Sequence, residues 1–226
     1  MSHSIDNTAE KATSQPRRRY RGISKQARQA ERYRQLCEAG IRCIGRDGYA
    51  ATTVKGVCQE AGLTERYFYE SFANREAMLC ETYTQITDEM LENMVRAALE
   101  GGHTDLNGLI KITLDAFFKT LESDPNKARL MMIEIVGISD TVDDLYRNNM
   151  KRHSELIRSL GGELLKPKAD KGLSAAHIEK MTDALVGAAT QCGIAWVLTD
   201  FESPRKLMVE SCHFIFSSVV EKLERL

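Results

Sequence analysis

The chain has 226 residues, of which 42% are apolar and 28% charged, with a formal net charge of −1. This balance argues against disorder and allows a core shared by one large domain or two ordinary ones. No apolar run approaches the ~20 residues of a membrane helix, and the polar start MSHSIDNTAEKATSQP has no signal-peptide core, so the expected location is the cytoplasm, with no membrane partner.

The average charge conceals a split. Residues 17–75 hold thirteen Lys and Arg against six Asp and Glu, a balance of +7; residues 76–226 hold seventeen against twenty-four, a balance of −7. A basic head on an acidic body suits a head that binds a polyanion.

In chain order, residues 1–16 are polar and aperiodic, and end at Pro16. Next comes RRRYRG, where Arg17, Arg18, Arg19 and Arg21 surround Tyr20. Residues 1–20 are expected to form a flexible basic arm that follows phosphates or enters the minor groove. Ser24 can cap a helix to about Arg46, with Leu36, Ile41 and Ile44 on its apolar stripe and Asp47-Gly48 as its stop. Thr52 and Thr53 offer the next cap, for a helix to Ala61 that buries Val54, Val57 and Cys58.

Ala61-Gly62-Leu63 makes a corner, and Thr64 can cap a short helix from about Glu65 to Ser71. In that helix Phe68 and, four residues on, Phe72 point inward, while Tyr67 and Tyr69 face out. Two short helices joined at a glycine, the second rich in groups that reach bases and phosphates, describe a helix-turn-helix unit over residues 21–73.

Asn74 caps a helix from Arg75 to about Glu100, roughly 38 Å long at 1.5 Å per residue. That is long enough to belong to both domains. Further helices are expected over about Asp105–Glu122, from Asp124-Pro125 through Met131, Met132, Ile135 and Val136, and from a Thr141 cap to Gly161-Gly162. Glu163–Leu173 looks like a loop; Ser174 caps a helix to about Thr199, and Ser203-Pro204 opens the last, to Leu226. No segment alternates with period two, so the fold class is all-α: a three-helix DNA-binding domain followed by a larger helical domain over residues 74–226.

The six cysteines form no CxxC pair and are expected to pack as small hydrophobes. The five histidines lack metal-ligand spacing, so neither a metal nor a cofactor is expected.

The pattern TTVxxVxxxAGLTxxxFYxxFxxxE, preceded by a helix ending in Asp47-Gly48-Tyr49, resembles the DNA-binding domain of the TetR family of transcriptional regulators. The match is detailed over about residues 24–80. The resemblance implies that Thr53 and Tyr69 anchor phosphates, that Lys55 reaches a base or phosphate, and that Glu65, Arg66 and Tyr67 read bases. Arg66 can pair with guanine O6 and N7, and Glu65 can accept from cytosine N4. Arg75 stands where the family usually has lysine, at a helix N-terminus that attracts phosphate, and Thr64 completes the DNA-binding set. Ser71 replaces a common histidine and Tyr67 a small residue, two departures that bear on the operator read.

The resemblance also implies a homodimer made by the last two helices. Leu185, Ala188, Ala189, Cys192, Ala195 and Trp196 offer an apolar surface; Gly187 and Gly193 allow close approach; Phe214, Phe216, Val219, Val220 and Leu223 supply the partner face. The remaining helices should enclose a pocket for a small, largely apolar effector. Its candidate lining is Phe117, Phe118, Met131, Met132, Ile135, Met150, His153, Gln191 and Trp196, with Thr190 as a further polar group. The expected function is a ligand-released repressor of a palindromic DNA operator. The alternatives are an activator of the same fold, a redox-responsive regulator, a DNA-bending architectural protein or an all-α enzyme; no GxxxxGK[ST], HExxH or GxSxG supports the last.

Overall fold

Residues 24–102 and 105–226 are described in the computed structural model, and among them the chain is helical, with a single isolated bridge, Lys168 to Leu173. The helices are α1 (Lys25–Asp47), α2 (Val54–Ala61), α3 (Glu65–Ser71), α4 (Arg75–Glu100), α5 (Leu106–Ser123), α6 (Pro125–Arg129), α7 (Asp140–Gly161), α8 (Ala175–Leu198) and α9 (Arg205–Glu224). A π-helical turn, Leu130–Glu134, continues α6.

Local chemistry sets the boundaries. Side chains of Ser24, Thr53, Asn74, Asp105 and Ser174 each accept an amide hydrogen of the first turn they precede. Three expectations need correction. Thr52 does not cap α2: it is buried, and its hydroxyl donates to the Gly48 carbonyl. The cap of α7 is Ser139, not Thr141, because the helix begins at Asp140 and Thr141 falls within its first turn. The segment after Gly161 holds two 3-10 turns, Gly162–Leu165 and Ala169–Lys171, rather than plain loop.

α1, α2 and α3 form the head. Phe68 and Phe72 are buried, their rings 5.5 Å apart, and Tyr33 of α1 stacks on Phe72 at 5.2 Å. Gly62 takes the left-handed conformation (φ 66°) that turns α2 into α3, and its amide reaches back to carbonyls of Cys58 and Gln59. The core of the head runs without a break into that of the body through Met78, Leu79 and Tyr83 of α4.

Head and body meet closely at one point. A Cβ at Gly45 would stand 2.4 Å from the Asn126 Cα and 2.8 Å from its carbonyl oxygen, so α1 and α6 touch backbone to backbone. A glycine inside a helix costs stability relative to alanine, and here the absent side chain is what permits the contact.

α8 is, by length and composition alone, long and apolar enough to cross a membrane, and it is only partly buried. The expectation that no run would reach that length overlooked a helix apolar on two flanks. One flank packs into the body, with Ile178, Leu185, Val186, Ala189 and Trp196 buried; the other, with Gly187 and Leu198, is open.

Gly45→Ala is expected to lower stability by about 1–3 kcal/mol, as overpacking does, in a urea titration. A variant as stable as the unaltered chain would mean that α6 retreats freely.

Candidate nucleic-acid interface and effector cavity

Among the described residues, Thr53, Lys55, Thr64, Glu65, Arg66 and Tyr69 of the expected DNA-binding set are exposed on the head. Thr53 holds the α2 N-terminus by accepting the Gly56 amide at 3.0 Å, which leaves its own hydroxyl hydrogen able to donate to a phosphate. Lys55, Thr64 and Glu65 are exposed, and Tyr69 is 57% exposed with its ring edge-on to Phe68. Thr64 precedes α3 with no cap bond from its side chain, so its hydroxyl is not used as the cap the sequence suggests. Arg17, Arg18, Arg19 and Arg21 lie outside the described residues.

Glu70 is a residue that the sequence analysis missed. Its carboxylate takes the Arg66 Nε at 3.1 Å and stands 3.9 Å from the Arg32 guanidinium, which in turn lies 4.3 Å over the ring of Tyr67. Arg66, with its side chain 84% exposed, is therefore held through Nε while its terminal nitrogens stay available for a guanine edge. Tyr67 is half-buried beneath Arg32 rather than projecting freely. The i,i+4 spacing of Arg66 and Glu70 was the available signal.

Arg75 is turned toward the protein. Its Nη1 donates to the carbonyls of Tyr49 at 3.0 Å and Ala50 at 3.4 Å and to that of Thr52, and its guanidinium lies 4.1 Å over the Tyr49 ring. On the other side of the same corner, Glu134 of the π-helical turn accepts the Tyr49 amide hydrogen at 2.9 Å. A side chain at Gly48 (φ 84°) would meet that carboxylate at 3.2 Å.

The body encloses a cavity of about 80 Å³, apolar apart from a few groups, between α4, α5, α7, α8 and α9. Half-buried Leu106, Ile110, Leu160, Leu165 and Val219 line one end; Phe117, His153 and Thr190 line the other. Those last three also line a smaller chamber of about 20 Å³, closed by Tyr83, Met90, Met131, Met132, Tyr146, Asn149 and Met150. Of the expected effector residues, Phe117, Met131, Met132, Met150 and His153 thus come together. Phe118, Ile135 and Trp196 do not line it: they are core, with Trp196 edge-on to Phe118 and its indole N–H given to the Ser203 carbonyl at 2.7 Å. Gln191 lies on a shallow outer groove. The lining also includes Phe216, Val220 and Leu223, which were expected on the dimer face.

Burial lowers the affinity of His153 for a second proton, and its Nδ1 lies 3.0 Å from the Asn149 carbonyl, so the neutral ring with the hydrogen on Nδ1 fits the site. Burial pushes the thiols of Cys37 and Cys212 up to about 11 and about 12, which keeps them protonated and unreactive. Among the described residues no group of His, Cys, Asp and Glu is arranged to hold a metal ion.

The family model for bacterial regulatory proteins of the tetR family matches residues 36–82, from the middle of α1 into α4. The HTH-type transcriptional regulator YerO of Bacillus subtilis (strain 168) is 30% identical over 67 residues, 28% of this chain and 23% of that protein. The fatty acid metabolism regulator protein of the same strain is 20% identical over 177 residues, covering 75% of this chain and 85% of that one. The crystal structure of FadR from Bacillus subtilis in complex with stearoyl-CoA shares the fold, with a TM-score of 0.68 at 18% identity over 81% of this chain and 96% of that one. These are regulators and not enzymes. The family model thus covers the helix-turn-helix head and the start of α4, and the chain as a whole shares its fold with FadR.

Proposed function

We propose that the chain is a cytoplasmic repressor that binds a palindromic operator as a homodimer and is released by an effector with a long apolar portion. The domain plan behind this is a basic arm over residues 1–20, a DNA-binding domain over 21–73 and an effector and dimerisation domain over 74–226. The observation that carries the proposal is the continuity of cavity and corner. Met131 and Met132 line the inner chamber, and Glu134 of the same π-helical turn holds the Tyr49 amide at the end of α1. An occupant that moves those methionines acts on the group that positions the head. The similarity to a regulator crystallised with stearoyl-CoA supports an apolar chain as the ligand.

A two-state account needs a ligand with different affinities for the two head positions, and coupling of this kind is typically about 1–3 kcal/mol. The open flank of α8 and the exposed Leu207, Phe214 and Ile215 of α9 support self-association through these two helices. Phe214 is 74% exposed, more than surface chemistry favours for a ring of that size.

Three results follow. Arg66→Ala should weaken binding to an operator selected from random duplexes by about 1–3 kcal/mol, with little change on unselected DNA, in fluorescence anisotropy at fixed salt. Equal losses on both would reduce Arg66 to a phosphate contact. Phe214→Glu should yield monomers in sedimentation, since a carboxylate at the interface is left without a partner; an unchanged dimer would move the interface elsewhere. Glu134→Ala removes a charge-assisted bond worth about 1.5–3 kcal/mol. It should shrink the loss of operator affinity caused by stearoyl-CoA, and a ligand effect of full size would take Glu134 off the route.

A further inference from the structure

The inner chamber holds two buried polar atoms without partners, Asn149 Oδ1 and His153 Nε2. Asn149 is 4% and His153 7% exposed, and one turn of α7 separates them, so they share a face of that helix. Leaving such an atom unsatisfied in a protein interior costs about 1–3 kcal/mol. The rest of the cavity is the wrong environment for two orphaned acceptors, which argues that the chamber is built around something that donates.

Both groups lack the same thing. His153 gives its Nδ1 hydrogen to the Asn149 carbonyl, so Nε2 presents a lone pair. Asn149 Nδ2 donates to the Tyr83 phenol oxygen at 3.1 Å, which leaves Oδ1 as an acceptor without a partner. If the amide is turned over, the Tyr83 hydroxyl donates to Oδ1 and Nδ2 becomes available; His153 Nε2 still needs a hydrogen.

We propose that the inner chamber is a subsite for a neutral hydroxyl group carried on the buried end of an apolar ligand. The ligand's O–H donates to His153 Nε2 or Asn149 Oδ1, and its apolar portion passes Phe117 into the larger cavity. The subsite rests on the apolar-effector reading above and adds a selection within it: among ligands of equal size, the chain favours one that ends in a hydrogen-bond donor. No cationic side chain lines the chamber, so it has nothing to neutralise a carboxylate there.

The test uses three probes of the same heavy-atom count, octanol, heptyl methyl ether and nonane, titrated by calorimetry into the full-length protein. Octanol is expected to bind about ten-fold more tightly than the ether, the effect of one net hydrogen bond, since the ether accepts but cannot donate. In His153→Phe, verified as folded by circular dichroism, that preference should fall to about two-fold or less. Equal binding of octanol and ether to the unaltered chain overturns the subsite while leaving the apolar cavity in place, and is the result expected if the chamber holds only water. A preference that survives in His153→Phe also overturns it. If none of the three probes binds, the apolar-effector reading falls and the subsite with it.

Discussion

The corner between α1 and α2, from which the helix-turn-helix starts, is held by two opposite charges. A helix end leaves carbonyls and amides without partners, and side chains can take some of them in place of water. The Arg75 guanidinium collects the carbonyls of Tyr49, Ala50 and Thr52, and the Glu134 carboxylate takes the Tyr49 amide. Each comes from an element that also lines the cavity: α4 supplies Tyr83, Met90 and Met94, and the π-helical turn supplies Met131 and Met132. The charges that hold the head are thus set by the same two elements that a ligand would touch.

The π-helical turn explains how so short a segment serves both ends. In an α-helix, residues three apart lie side by side on one face, so Met131 and Glu134 would point the same way. The wider turn spreads them, with Met131 in the chamber and Glu134 toward α1. Such turns are rare and occur frequently at functional sites.

Most of the helices and the division of the head into three were legible in the sequence, because caps, glycine stops and apolar periodicity are local signals. The candidate DNA-binding face could be proposed for the same reason: its residues lie within one short stretch. The cavity was not. Helical spacing identified Phe117, Phe118, Met131, Met132, Ile135 and Trp196 alike as apolar and inward, but whether an inward side chain meets a void or a neighbour depends on helices far apart in the chain. Phe118 meets Trp196, while Phe117 meets space. Arg75 and Glu134 were opaque in a different way. Their partners are backbone atoms, which leave no trace in residue identity, and Arg75 at the start of a helix therefore looked free for phosphate. Gly45 offered a faint hint, as a glycine in the interior of a strongly helical segment.

The contact at Gly45 has a mechanical consequence. Where two backbones touch with no side chain between them, neither helix can approach further, yet each can turn about the point of contact. A rotation about that contact would make it a pivot rather than a weld. On a pivot, small shifts near the axle become larger ones with distance from it. A sub-ångström change at Glu134, whose carboxylate holds the Tyr49 amide, would then be larger at the exposed tips of Arg66 and Tyr69. Gearing of this kind would let a tightly packed interior, which resists large deformation, shift the short helix α3.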